Sequence, residues 1–444
     1  MPLILGANSV SGYNVANSLR FNTASTDFLS RTPASTTNRR TFTLSFWFKR
    51  STLGTNSIAG AGDGTSSNRF NMQFGSTDEL QIANSIAGVN TNLRTTTQLF
   101  RDVSAWYHLV VAIDTTQATA SNRLKVYING SEITAFTTSN DFTLNYDTYF
   151  NSTAYSARLG VSLSNHFSGY ISEVNFIDGQ ALTPSSFGET DTLSGIWIPK
   201  SYSGSYGTNG FFLKFLNSAS LGTDSSGNGN TWTVNNLTSI DQTTDTPTNN
   251  FATWNPLFAL GNQTFTEGNL RLATGTTGGS IGTIAVNTGK WYWESKIIST
   301  ATANARVAGI SSLPATSLQV NGSATYRLTG VVEVNGTDQA YGASLTTNDI
   351  VGTAIDIDAR SVTFYKNGTS QGALSLSSVY SVGDYITASV VYSSSTSTTM
   401  EINFGNPSFT IASGNTDGAG FGNFEYAVPS GYYALCTKNL ANFG

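Results

Sequence analysis

Apolar and polar positions alternate with a period of two along most of the chain. Phe42, Leu44, Phe46 and Phe48 interleave with Thr41, Thr43, Ser45, Trp47 and Lys49, the pattern of a half-buried strand with a broad apolar face. Leu109, Val111 and Ile113 repeat it and close at Asp114-Thr115. Leu124, Val126 and Ile128 lead into Asn129-Gly130, after which Glu132-Ile133 returns. Asn-Gly between alternating runs predicts a hairpin, because a type I′ turn places two successive residues at positive φ. Further strands are predicted over 157–163, 170–177 and 211–216. In the second half a Gly289-Lys290 turn precedes the aromatic run Trp291-Tyr292-Trp293, read as a strand over 291–298. Strands over 307–311, 326–334, 350–357, 362–366, 387–392 and 400–404 follow, with Asn367-Gly368 as a second hairpin signal. No helical apolar period of useful length occurs. The pattern predicts an all-β chain of two antiparallel β-sandwiches.

The halves share a phrase. "AIDTTQATASNRLKVYING" (112–130) and "AIDIDARSVTFYKNG" (354–368) both run strand, acidic turn, strand, Asn-Gly, as two copies of one sandwich class would. Between them "SYSGSYGTNG" (201–210), "GTDSSGNGNTWT" (222–233) and "SIDQTTDTPTNN" (239–250) flank short apolar runs. The expected organisation is a sandwich over 1–200, a Gly/Ser/Asn-rich connector with short strands over 201–250, and a second sandwich over 251–444. The boundary falls in the apolar-poor stretch near 240–250.

Composition narrows the function classes. With 12 % aromatic and only 11 % charged residues among 444, the chain is polar through Ser, Thr, Asn and Gly, unlike charge-rich disordered segments. Lys and Arg number 22 against 27 Asp and Glu, a net charge of −5 with no basic block, which speaks against nucleic-acid binding through phosphate neutralisation. One cysteine, Cys436, excludes an internal disulfide or a Cys-based zinc site, and two histidines, His108 and His166, leave little for a histidine metal centre. The apolar run at the start lacks a basic flank, so no secretory signal is expected. No stretch approaches the roughly 18 apolar residues of a membrane span.

The C-terminal block resembles a SPRY domain in three phrases that occur in that family's order: "GKWYWESKI" (289–297), "DIVGTAIDIDARSVTFYKNG" (349–368) and "INFGNPSF…PSGYYALC" (402–436). The N-terminal block resembles a laminin-G-like/concanavalin A-like domain through "FTLSFWFKR" (42–50), "WYHLVVAID" (106–114), "LKVYING" (124–130) and "GYISEVNFIDGQALTP" (169–184). With "TDSSGNGNTWTVNNLT" and "DTPTNNFATWNPL" as connecting phrases, the whole is similar to virion-associated proteins of tailed phages, often marine ones. The resemblance implies a jelly-roll sandwich in each half and a role in recognition or particle structure. It also implies a virion location for a product made in the host cytoplasm.

Several groups invite a chemical reading. Retaining glucanases use two carboxylates about 5–5.5 Å apart. The nearest approach to such a pair on one strand is Asp356-Ile357-Asp358, which coincides with the turn before a hairpin, where acids bond backbone amides. Glu173 and Asp178 would face different sides of a strand. His108 sits mid-strand after Trp106-Tyr107 and His166 in a turn, neither beside a Gly-x-Ser-x-Gly elbow, and Cys436 reads as a buried reduced thiol. "GTTGGSIG" (275–282) lacks the Gly-Lys-Ser/Thr ending of a phosphate-binding loop. No enzymatic activity is expected.

Asp63 in "AGDGTSSN" and Asp224 in "GTDSSGNGN" stand among carbonyl-rich Gly/Ser/Asn loops, the oxygen donors calcium prefers, although the same sequences are ordinary turn chemistry. No cofactor is required; calcium is the one ion left open. Tyr202, Tyr206 and Tyr392 lie in small-residue stretches and are candidate ligand-binding rings, since tyrosine gives contact area at low entropic cost. The expected function is a tail-fibre or appendage component that recognises a host-surface glycan or protein through rim loops. The alternative is a capsid decoration or appendage protein without host contact, and a glycan depolymerase is disfavoured. Partners would be other virion proteins and further copies of the chain, with no nucleic acid and no membrane.

Overall fold

The computed structural model describes residues 12–258, 260–300, 305–313, 322–393 and 398–444. The fold is all-β, arranged in two compact units that divide between Thr248 and Asn249.

In the first unit two eight-stranded sheets enclose a common core. Thr41–Arg50 runs antiparallel between Tyr107–Asp114 and Gly169–Asp178. Its Phe42, Leu44, Phe46 and Phe48 point at Phe70, Met72 and Phe74 on Arg69–Phe74 of the opposite sheet, with the Phe48 and Phe74 rings 5.5 Å apart. The alternate positions are buried as well: Trp47 and His108 stack at 4.8 Å on the outer face, because the later chain returns over that face and brings Phe187, Trp197, Tyr202 and Tyr206 with it. The Asn129-Gly130 turn has φ of 48° and 83°, and Asn367-Gly368 in the second unit has 48° and 78°, the positive pair that a type I′ hairpin requires.

The second sheet contains four neighbouring strands that alternation did not reveal: Asn56–Gly62, Arg69–Phe74, Glu79–Ile86 and Val89–Leu99. Their outward positions are mostly Gly, Ala, Asn, Gln and Ser, with Arg69 and Glu79 among them, which blur a two-residue period. The strand expected over 157–163 is shorter. Ser156–Leu159 stops at Gly160 (φ 91°), and Val161–Ser162 then pairs with Asn165–His166 as a small hairpin.

The connector is no tether. Phe211–Leu213 joins Gly169–Asp178, Thr233–Asn235 joins Phe28–Arg31, and Gln242–Thr243 joins Ser18–Phe21. Phe215, Leu221, Trp232 and Leu237 enter the main core. The apolar-poor end is held by buried polar pairs instead. Asp245 accepts the Lys49 ammonium at 2.8 Å and the Trp106 indole N–H at 3.0 Å, with Lys49 and Asp245 both buried. Asp241 closes a capping box with Thr238.

The second unit is built around Lys290–Ser299, which runs between Ile350–Asp356 and Thr398–Asn403. Trp291 and Trp293 enter the larger core with Trp254 and Phe404, whereas Tyr292 faces Phe251 and Phe424 on the other side. Arg271–Ile281 pairs with Thr398–Asn403 through its first residues and with Ile386–Ser393 through its last, so one long strand bridges the two layers. The strand expected over 326–334 is two, Ser323–Arg327 and Val331–Val334, separated by a turn at Gly330 (φ 85°).

Candidate functional site

Most groups with reactive chemistry are consumed inside the sandwiches. His108 and Ser45 are within 2.9 Å, the spacing of a base and its nucleophile, and both are buried. The Trp197 indole donates to His108 Nδ1 at 3.0 Å, and burial pushes the imidazole down to about 3. A neutral ring whose Nδ1 accepts must carry its proton on Nε2, so it donates to Ser45 Oγ and cannot withdraw that proton. A fluorophosphonate probe is therefore expected to leave Ser45 unlabelled in the folded chain, checked by peptide mass spectrometry. Cys436 is buried, its thiol pushed up to about 12 by burial, and so is a poor nucleophile.

The carboxylates are likewise engaged. Glu173 occupies a bulge of Gly169–Asp178 at φ 53° and accepts the Tyr13 hydroxyl at 2.6 Å. Asp178 accepts Asn38 Nδ2, Asn151 Nδ2 and the Asn209 N–H. Asp356 pairs with Lys290 at 2.8 Å and accepts the Ala359 N–H, while Asp358 accepts the Gly289 N–H.

Both calcium candidates hold their carboxylates in the turn hydrogen bonds of their own loops. Asp63 Oδ1 accepts the N–H and hydroxyl of Thr65, and Oδ2 accepts Asn68 Nδ2 at 3.0 Å. Asp224 accepts the N–H groups of Phe212, Ser226 and Asn230 and the Ser226 hydroxyl, all at 2.8–2.9 Å. Each loop thus turns hydrogens, not lone pairs, towards its own acid. Among the described residues no three His, Cys, Asp or Glu side chains converge on a metal-sized space.

Two of the tyrosine candidates, Tyr202 and Tyr206, pack against neighbouring rings. Tyr202 stacks on Phe187 at 5.2 Å, and Tyr206 meets Tyr202 edge-on at 5.0 Å while donating to Asn175 Oδ1 at 2.9 Å. Both fill the satellite cluster behind the first sheet. Tyr392 lies in a strand opposite Gly278, not in a loop, and its side chain is outside the described residues.

An unassigned groove lies on the outer face of the other sheet of the first unit. Asn56–Gly62 pairs with Arg69–Phe74 on one side and Ser156–Leu159 on the other. Gly62 stands between Arg69 and Ser156, and Gly60 between Asn71 and Arg158. With no side chains on these two central positions, a shallow, open trough lies between the flanking strands, completed by Thr65 and the Val161–Leu163 segment. A Cβ at Gly60 would come within 2.7 Å of the Phe70 carbonyl, and one at Gly62 within 2.5 Å of that of Asn68, so glycine is needed for the strands to approach. Beyond the trough, Asn71, Gln73, Gln81 and Glu79 form a chain of side-chain hydrogen bonds of 2.6–2.8 Å. The sequence signal was the small-residue alternation in "IAGAGDG" beside "RFNMQF", but only the strand register reveals which residues flank the glycines.

Residues 23–186 match the family model of the concanavalin A-like lectin/glucanases superfamily, and residues 290–406 match that of the SPRY domain. Solved structures similar to the chain include the SPRY domain of human HERC1, at 22 % identity over 34 % of this chain and 96 % of that one with a TM-score of 0.30. A native heptameric SAP-like pentraxin from Limulus polyphemus matches at 15 % identity over 42 % of this chain and 94 % of that one, TM-score 0.29. Domain 4 of AbnA, a GH43 extracellular arabinanase from Geobacillus stearothermophilus, matches at 23 % identity over 34 % and 65 %, TM-score 0.26. No curated protein matches the chain.

Proposed function

From a concanavalin A-like domain followed by a SPRY domain, we propose that this chain is a recognition protein that holds a surface glycan without transforming it. The observation that carries this reading is the contrast between the two kinds of polar group. The acids, the Ser45–His108 pair and Cys436 are locked into internal hydrogen bonds or buried. The groove beside Gly60 and Gly62 is instead lined by hydroxyl and guanidinium groups next to a row of amides, which leaves hydrogen-bond donors at the surface for a polar ligand. In this reading the recognising surface is a sheet face, where the sequence alone suggests rim loops.

A setting on a phage particle, as tail appendage or head decoration, rests on the connecting phrases of the sequence and is part of this proposal. The test is direct. The full chain, mixed with polysaccharide extracted from washed host cells, is expected to co-migrate with it on size exclusion and leave its chain length unchanged. Absence of co-migration, or shortening of the polysaccharide, overturns the reading. Immunogold labelling of intact particles places the protein on head or tail, and unlabelled particles remove the virion setting.

A further inference from the structure

The two arginines of the groove have no carboxylate partner. Among the described residues neither Arg69 nor Arg158 forms an ion pair or a hydrogen bond, and the buried Nε of Arg69 is unpaired. Arg158 lies 5.8 Å over the Phe28 ring, and its Nη2 stands 3.7 Å from where a Cβ on Gly64 would be. The fully buried cations of this unit, by contrast, are answered by acids, as Lys49 is by Asp245 and Arg50 by Asp78. A protein with net charge −5 thus leaves two guanidiniums unanswered on opposite walls of one trough. The acid closest in sequence, Asp63, has its oxygens turned onto Thr65 and Asn68.

Partly desolvated guanidinium groups without counter-charge are costly unless a ligand supplies it. The planar fork of arginine matches a carboxylate in bidentate geometry. Thr65, Ser156 and Ser162 add hydroxyls to the lining, with Val161 and Leu163 as an apolar side, in a trough open enough for a ligand to lie along it rather than be enclosed. We propose that the groove clasps the carboxylate of a sugar acid between Arg69 and Arg158, an inference that rests on reading this face as glycan-binding.

The experiment is calorimetric titration of the full chain with three oligosaccharides of equal length: a galacturonate oligomer, its neutral galactose counterpart and a sulfated galactose oligomer. The galacturonate oligomer is expected to bind at least about tenfold more tightly than either of the others, with affinity falling as salt rises. Arg69→Gln and Arg158→Gln are each expected to lower that affinity by about tenfold or more, with melting temperatures close to wild type because neither residue has an ion pair or hydrogen bond to lose. Equal binding of the neutral oligomer, or wild-type affinity in both variants, overturns the carboxylate assignment while glycan binding itself stands. Preference for the sulfated oligomer also overturns it. Failure to bind all three, together with failure on host polysaccharide, removes both. Should a variant not fold, the salt dependence and the three-way comparison on wild-type protein decide alone.

Discussion

Glu294→Ala lowers the melting transition of the second unit by about 10 °C or more and leaves that of the first unit in place. Glu294 is buried in the central strand Lys290–Ser299 and gathers four donors. Oε1 accepts the Tyr426 N–H at 2.9 Å and the Tyr292 hydroxyl at 3.2 Å; Oε2 accepts the Glu425 N–H at 3.0 Å and Asn403 Nδ2 at 3.2 Å. The chain between Phe404 and Tyr433 contributes no ladder strand. It is fastened by this acid and by Asp417, which accepts the N–H groups of Ala419, Phe421 and Ala434 and Asn439 Nδ2. Truncation strands these donors in a dry interior, a loss of about 3–5 kcal/mol, and each kcal/mol moves the melting temperature of a unit this size by about 2–4 °C. Glu294→Gln keeps the shape and one accepting oxygen, so it falls between wild type and alanine. Scanning calorimetry resolves the two transitions. Coincident loss of both, or no change in either, contradicts this account.

How far the sequence carried depended on where the polar residues went. The strands at 42–48, 109–113 and 291–298 were legible because large apolar side chains recur at every second position. The strands that hold the groove were not, because Gly60, Gly62, Asn71, Gln73 and Ala83 give the outer face no contrast with a loop. The stretch 239–250 resembles a linker by composition. In the fold, Asp241, Thr243, Asp245 and Thr246 are buried, stabilised by pairing rather than by apolar area. Tyr202 and Tyr206 sit among serines and glycines, which suggested display; their rings find Phe187 and Phe212 instead. Arg69 and Arg158 could not be joined from sequence at all, since only the register of two strand pairs across Gly60 and Gly62 brings them to one trough. The reactive-looking residues were easier to weigh. Hydrogen bonds between acids and nearby backbone amides follow from turn chemistry, which is local and therefore readable.

The acid–base behaviour of the first unit turns on two buried groups with opposite signs. Burial pushes His108 down to about 3 from its ordinary 6.5, so between those values the unfolded chain takes up a proton that the fold refuses, and stability falls as pH drops. Burial raises Glu173 from 4.5 to about 7, against the lowering effects of Tyr13 and Lys214. Between those values the folded chain holds a proton that the unfolded chain releases, and stability falls as pH rises. From pH 4.5 to 6.5 the two slopes, each about 1.4 kcal/mol per pH unit, oppose each other. His166, also lowered by burial, reinforces His108, whereas the hydrogen-bonded Asp78 and Asp114, lowered from 3.8, act below this range. Glu173→Gln removes one side of the balance. Its stability relative to wild type is expected to climb with pH from 4.5 to 7 by about 3 kcal/mol in total, on top of any constant offset from the altered bond to Tyr13. Urea unfolding of the first unit at pH 4.5, 5.5, 6.5 and 7.5 measures that difference; a difference independent of pH would mean that Glu173 titrates as an ordinary surface acid, and the buried-bulge assignment would fail.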